Sequence, residues 1–183
     1  IFNAANVALS GRPGPVHIGL PTSLNAEQPE VDDYSPVGKT QPKAPEDESL
    51  STAKELLLKA KKPLLAVGLA AANPEYAASI REFAEQNSIP IVLTPMAKGV
   101  ITEDHPSYTG VLFHALSDIV GEIHRSADLV VSVGYDPVEF NYEDWMPEVP
   151  LISIDTEPVD IDRKQYSDVH EVVGDIENYL RFL

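Results

Sequence analysis

From residue 63 onward the chain alternates short apolar runs with amphipathic stretches, and this alternation constrains the fold more than anything else in the sequence. Leu64–Gly68, Ile89–Leu93, Asp128–Val133, Leu151–Ile154 and Val169–Val173 read as strands. Between them, Asn73-Pro74-Glu75 supplies a helix cap, a first-turn proline and a first-turn acid, ahead of a stripe of Tyr76, Ala77, Ile80, Phe83 and Ala84. A second stripe holds Leu116, Ile119, Val120 and Ile123, and Asp175 caps a closing helix carrying Ile176, Tyr179 and Leu180. Upstream, Ser51 is placed to cap a helix with Ala53, Leu56, Leu57 and Ala60 on one face, lysines at its end and Pro63 as its stop. Thr94 to Gly110 reads as a loop. Strands apolar on both faces need cover on both faces. The pattern predicts a three-layer, doubly wound parallel α/β domain of Rossmann-like type from about residue 50 to 183.

The first part of the chain is different. Ile1 to Leu9 reads as the last turns of a helix, and Gly11-Arg-Pro-Gly-Pro-Val-His-Ile-Gly-Leu-Pro21 as a tight turn feeding a short strand, Val16 to Leu20. Residues 25–48 carry Pro29, Pro36, Pro42 and Pro45 and seven carboxylates, with few large apolar groups. Such a segment buries too little surface to fold and is expected to run extended between domains. The expected organisation is therefore the end of one domain (1–24), a linker (25–48) and a complete second domain (49–183), in a piece of a larger protein.

Composition removes several function classes. A net charge of −16 argues against nucleic acid, which requires basic surface to displace phosphate counterions. The absence of cysteine excludes disulfides, thiolate catalysis and Cys-ligated zinc. No apolar run approaches the roughly 18 residues needed to span a bilayer. Acidic side chains crowd the linker and the stretch from Asp136 to Asp175, whereas Lys54, Lys59, Lys61 and Lys62 gather together. Charge so distributed serves solubility, or presents an acidic face to a basic partner domain.

In an open parallel sheet, ligands bind at the carboxyl ends of the strands. Here those ends offer Gly68, Thr94, Lys98, Gly134 and Asp155, with Asp175 opening the last helix. Gly68 and Gly134 allow sharp turns, Lys98 could meet a phosphate and Asp155 a ribose hydroxyl, so an ADP-like nucleotide is one reading of the crevice. No G-x-G-x-x-G or G-x-x-x-x-G-K-[ST] motif is present, and Leu-Ala-Ala-Ala after Gly68 narrows the turn. Turn glycines in a nonbinding domain are the other reading. His105, His114 and His124 lack the spacing of a helical metal pair, and Asp155, Glu157, Asp160 and Asp162 lack the central Gly and closing Glu of a calcium loop. Asp136, Glu139, Glu143 and Asp144 could pair as acid and base but read better as a solvated loop face, and Trp145 with Phe140 and Tyr142 as an anchor for that loop.

These residues, taken in order, resemble the thiamine-diphosphate-dependent enzymes of the acetolactate synthase and pyruvate oxidase group. Gly11 to Pro21 is similar to the end of their pyrimidine-binding domain. Lys62-Pro63 to Gly68, Ile89-Pro90 to Thr94, Lys98-Gly99, Asp104-His105-Pro106, Ala127-Asp128-Leu129 to Gly134, Ile154-Asp155 and Val173-Gly174-Asp175 resemble their central domain. Gly68-Leu-Ala-Ala-Ala-Asn-Pro-Glu75 and Gly134-Tyr-Asp-Pro-Val-Glu-Phe140 look most like the catabolic synthases that work without flavin adenine dinucleotide (FAD). The resemblance implies a DHS-like NAD/FAD-binding type of fold, a cytoplasmic parent that assembles as a homo-oligomer, and thiamine diphosphate with Mg2+ bound there by other domains. It implies no catalytic or metal-binding residue in this stretch, because Gly174-Asp175-Ile176 is not the family's Gly-Asp-Gly metal motif. A free-standing nucleotide-binding domain, another thiamine-diphosphate decarboxylase or lyase, and a purely spacing role within the parent stay open.

Overall fold

A computed structural model of the chain describes residues 1–10, 13–21, 47–112, 118–136, 139 and 148–183. The chain divides into two compact units, Ile1–Gln41 and Pro42–Leu183. In the first unit, helix α1 (Phe2–Leu9) buries none of its residues and closes with the Ser10 hydroxyl on the Val7 carbonyl at 3.1 Å. The strand expected at Val16–Leu20 is not formed: residues 13–21 have no regular structure, and Val16, Ile18 and Leu20 are exposed. An extended segment becomes a strand only when a neighbouring strand takes its amides; here the Gly14 amide goes instead to the Ala8 carbonyl of α1 at 3.0 Å. Most of the expected linker lies outside the described residues.

The second unit is built on one all-parallel sheet of six strands: β1 (Pro63–Val67), β2 (Ile91–Leu93), β3 (Tyr108–Val111), β4 (Leu129–Val133), β5 (Leu151–Asp155) and β6 (Val169–Val173). Their order across the sheet is β3-β2-β1-β4-β5-β6, so the chain winds outward in one direction from β1 and then in the other from β4. Burial is complete along β4 and β5 and nearly so along β1, as the doubly apolar sequences require.

Helices α2 (Asp47–Lys59), α3 (Pro74–Asn87) and α5 (Ile176–Phe182) cover one face. There Ala53, Ile80, Phe83, Ala84, Ile176, Tyr179 and Leu180 meet Leu65, Val67, Val131, Val133, Ile152, Ile154 and Val172. The other face is covered by α4 (Asp118–Ser126) and by residues between β5 and β6, where Val120 and Tyr166 pack on Leu64, Ala66, Val130 and Leu151.

The local chemistry follows the sequence closely in places. The Asn73 side chain accepts from the Glu75 amide at 3.1 Å, and Asp175 accepts from the Asn178 amide at 2.8 Å, so both expected caps form. Asp128, just before β4, accepts from the Lys61 and Lys62 amides at 2.8 Å each and fixes the turn into β1.

In the second unit, two elements differ from expectation. Helix α2 begins at Asp47, which puts Ser51 inside it rather than at its cap; an acidic start suits the positive end of the helix dipole equally well. Strand β3 lies within what the sequence presents as loop. It is a four-residue edge strand containing a glycine, its register with β2 slips between Ile91 and Val92, and Thr109 ties it to the Ile91 carbonyl at 2.7 Å.

Candidate functional site: the strand-end crevice

The strand order reverses between β1 and β4, and this is where a doubly wound sheet normally opens a crevice. In this protein the two turns close on each other. The Gly68 amide donates to the Val133 carbonyl at 2.9 Å, the Ala70 amide to the Gly134 carbonyl at 3.0 Å, and the Gly134 amide to the Ile154 carbonyl at 2.9 Å. A Cβ on Gly68 would stand 2.5 Å from the Gly134 carbonyl oxygen, and one on Gly134, whose φ is +60°, would stand 2.3 Å from the Ala71 nitrogen. The glycines permit close approach as expected, and what approaches is the opposite turn.

The centre of the site is Glu139, which the sequence presents as part of a solvated loop face. Its side chain is half-buried at the strand ends. Oε1 accepts from the Leu69 amide at 2.7 Å and from the Asp136 amide at 3.1 Å, while Oε2 accepts from the Thr94 hydroxyl at 2.7 Å. Burial pushes its carboxyl above the usual carboxylate range, against the opposing pull of the three hydrogen bonds. One acidic side chain thus joins the ends of β1, β2 and β4. The signal that could have found it is the pairing of an isolated Glu with two Gly turns and a Thr at strand ends, but its position six residues beyond β4 hides that relation in the sequence.

The residues singled out by sequence separate into three groups. Gly68, Thr94 and Gly134 meet around Glu139. Asp155 and Asp175 sit at the ends of β5 and β6, where Asp155 accepts from the Thr156 amide at 2.6 Å and Asp175 caps α5. Tyr76 lies near both, and its hydroxyl is raised above its ordinary value, first by burial and then by the charges of Asp175, Glu75 and Asp155. Lys98 stands apart, exposed and paired with Glu103 at 3.0 Å.

Among the described residues no cluster of three or more His, Cys, Asp or Glu could hold a metal ion. His105 joins Glu85 at 2.8 Å and accepts from the Ser107 amide, and His124 is buried, with a pKa pushed down to about 4. His114, Phe140, Tyr142, Glu143, Asp144 and Trp145 lie outside the described residues. No described helix is long and apolar enough to cross a membrane.

Comparison with known proteins bears on the fold and the family. Residues 50–183 match the model of the thiamine pyrophosphate enzyme central domain. The acetolactate synthase large subunit of Corynebacterium glutamicum is 32% identical over 98% of this chain and 30% of its own length. Oxalyl-CoA decarboxylase of Escherichia coli is 32% identical over 96% of this chain and 31% of its own.

Among solved structures, a candidate thiamin diphosphate-dependent enzyme from Mycobacterium smegmatis superposes with a TM-score of 0.60 at 26% identity, over 81% of this chain and 30% of its own. Benzoylformate decarboxylase from Polynucleobacter necessarius gives 0.64 at 23% identity, over 85% and 29%, a likeness of fold. The chain spans about a third of the length of the relatives it matches. With a family model covering the whole sheet and its helices, the chain belongs to the thiamine pyrophosphate enzymes, as their central domain.

Proposed function

We propose that this chain is the central domain of an acetolactate synthase, whose parent joins two molecules of pyruvate into acetolactate and CO2. Acetolactate synthases of Corynebacterium, Mycobacterium and Methanocaldococcus match it along nearly its whole length, which supports this reaction over others in the family. Oxalyl-CoA decarboxylase, at the same identity, keeps decarboxylation of an oxalyl thioester as the second reading.

Thiamine diphosphate supplies the parent's carbanion chemistry when bound. The family resemblance implies that its site, with Mg2+, lies in the pyrimidine- and diphosphate-binding domains of the parent. The domain organisation proposed is the end of the pyrimidine domain in residues 1–24, a linker in 25–48 and the central domain in 49–183. Within it this domain serves as a spacer and a surface for subunit contacts in a homo-oligomer.

The residues do not fit FAD. A dinucleotide's diphosphate needs free strand-end amides, and the Leu69 and Asp136 amides are taken by Glu139. That single observation carries the FAD-independent reading. Among the described residues, the Asp155, Asp175 and Tyr76 corner is the place we propose for an ADP-like ligand.

The test uses the full-length enzyme that contains this domain, supplied with thiamine diphosphate and Mg2+ and offered pyruvate or oxalyl-CoA in turn. Acetolactate from pyruvate, unchanged by added FAD, is the expected result. Turnover of oxalyl-CoA alone overturns the substrate assignment, and a requirement for FAD overturns the reading of the crevice.

A further inference from the structure

We propose that the ends of β1, β2 and β4 form an oxyanion receptor for which Glu139 is the built-in ligand, so that deleting its carboxylate opens a site for a small carboxylate or phosphate anion. The inference does not depend on which reaction the parent performs.

Three donors from three separate segments converge on this one carboxylate: the Leu69 amide, the Thr94 hydroxyl and the Asp136 amide. The three donors are neutral groups, two backbone amides and a hydroxyl. Preorganised amides and a hydroxyl are the donors that proteins use for carboxylates and phosphates. Two of the donors are fixed by contacts that do not involve Glu139. The Thr94 amide is held by the Val67 carbonyl at 2.9 Å and its side chain is fully buried. The Leu69 turn is held by the bond between the Ala71 amide and the Gly68 carbonyl at 3.1 Å. The ligand follows the third donor on the same stretch of chain after β4, the Glu139 amide donating to the Asp136 carbonyl at 3.0 Å. A receptor rigid on the strand side, with its anion on a loop, behaves as a site with a covalently attached occupant.

The test is anion rescue in the whole chain. Glu139→Ala removes the carboxylate and leaves room for acetate beside the three donors. Its melting temperature should fall below that of wild type and rise again with acetate in a saturable way, while equal concentrations of sodium chloride give a much smaller rise. Wild type should gain no more from acetate than from chloride. Inorganic phosphate compared with acetate reports the size of the opening. Adding Thr94→Val to the variant should weaken the rescue several-fold. Equal response to acetate and chloride, or the same acetate response in wild type, overturns the proposal.

Should Glu139→Ala not fold, Glu139→Gln keeps the volume and places an amide where the acid was. In its 15N–1H spectrum the Leu69 and Asp136 amides should shift far more than those of β5 and β6. Unmoved Leu69 and Asp136 amides overturn the proposal equally.

Discussion

Replacing Gly134 by alanine tests how tightly the two turns of the crevice are closed. At φ +60° an alanine carries a left-handed backbone, which costs roughly 1–2 kcal/mol. Its Cβ would also stand 2.3 Å from the Ala71 nitrogen, 2.7 Å from the Ala71 Cβ and 2.9 Å from the Ala70 carbonyl carbon. These are backbone or near-backbone atoms that cannot swing away, and overpacking of this kind costs about 1–3 kcal/mol. The sum is roughly 2–5 kcal/mol, or a fall in Tm of roughly 5–15 °C for a domain of this size.

Two companions separate the terms. Gly99, at φ +103° with nothing within 4 Å of its Cβ, carries the backbone term alone. Gly68 has an ordinary extended φ of −111° and a Cβ position 2.5 Å from the Gly134 oxygen, so it carries the contact term alone. Urea or thermal unfolding of the three alanine variants should rank Gly134→Ala as the most damaging. If it loses no more than Gly99→Ala, the β1 and β4 turns do not press on each other, and the crevice has room for a ligand after all.

Other expectations concern single groups. His124 titrates near 4 in the folded chain and near 6.5 when unfolded, because burial disfavours its charged form. Its contribution is therefore complete above pH 6.5 and is lost as pH falls toward 4, by up to about 3 kcal/mol; urea midpoints between pH 4 and 8 should show this, and His124→Gln should remove it. Glu139 acts with the opposite sign: its raised carboxyl favours the fold most at low pH and less as pH rises through its folded value, so Glu139→Gln should flatten that part of the profile. Asp175→Ala should cost about 1 kcal/mol in the same assay through loss of the α5 cap. Lys98→Ala should leave the melting temperature unchanged and should not alter binding of ADP, since Lys98 is exposed and paired with Glu103.

The sheet was legible because each central strand is apolar on both faces, which leaves no other way to bury it. Caps at Asn73 and Asp175 were legible because their partners lie two and three residues away in the chain. β3 was not: Tyr-Thr-Gly-Val is short, holds a glycine and gains strand geometry only from its place beside β2. The same holds more strongly for the site. Gly68 and Gly134 announce close approach but not what approaches, and that depends on pairing across 66 residues of chain. Glu139 reaches Leu69 and Thr94 across 70 and 45 residues respectively, and no local pattern records such a contact. Lys98 was conspicuous as a charge, yet its partner Glu103 decides what that charge does.

A carboxylate drawn into the end of a sheet, in a chain already at net charge −16, is costly unless something offsets it. The offset lies in what the closed crevice would otherwise leave undone. Strand-end amides in a doubly wound fold point outward, and where a ligand binds there it satisfies them. Once Gly68 and Gly134 bring the β1 and β4 turns into contact, the Leu69 and Asp136 amides at their edge are left to an acceptor from the chain itself. Glu139 supplies that acceptor, and its second oxygen takes the Thr94 hydroxyl, which is fully buried. Closing the crevice and placing an acid on the following loop are therefore one structural solution: the glycines remove the space a ligand would use, and the glutamate replaces the hydrogen bonds it would have made.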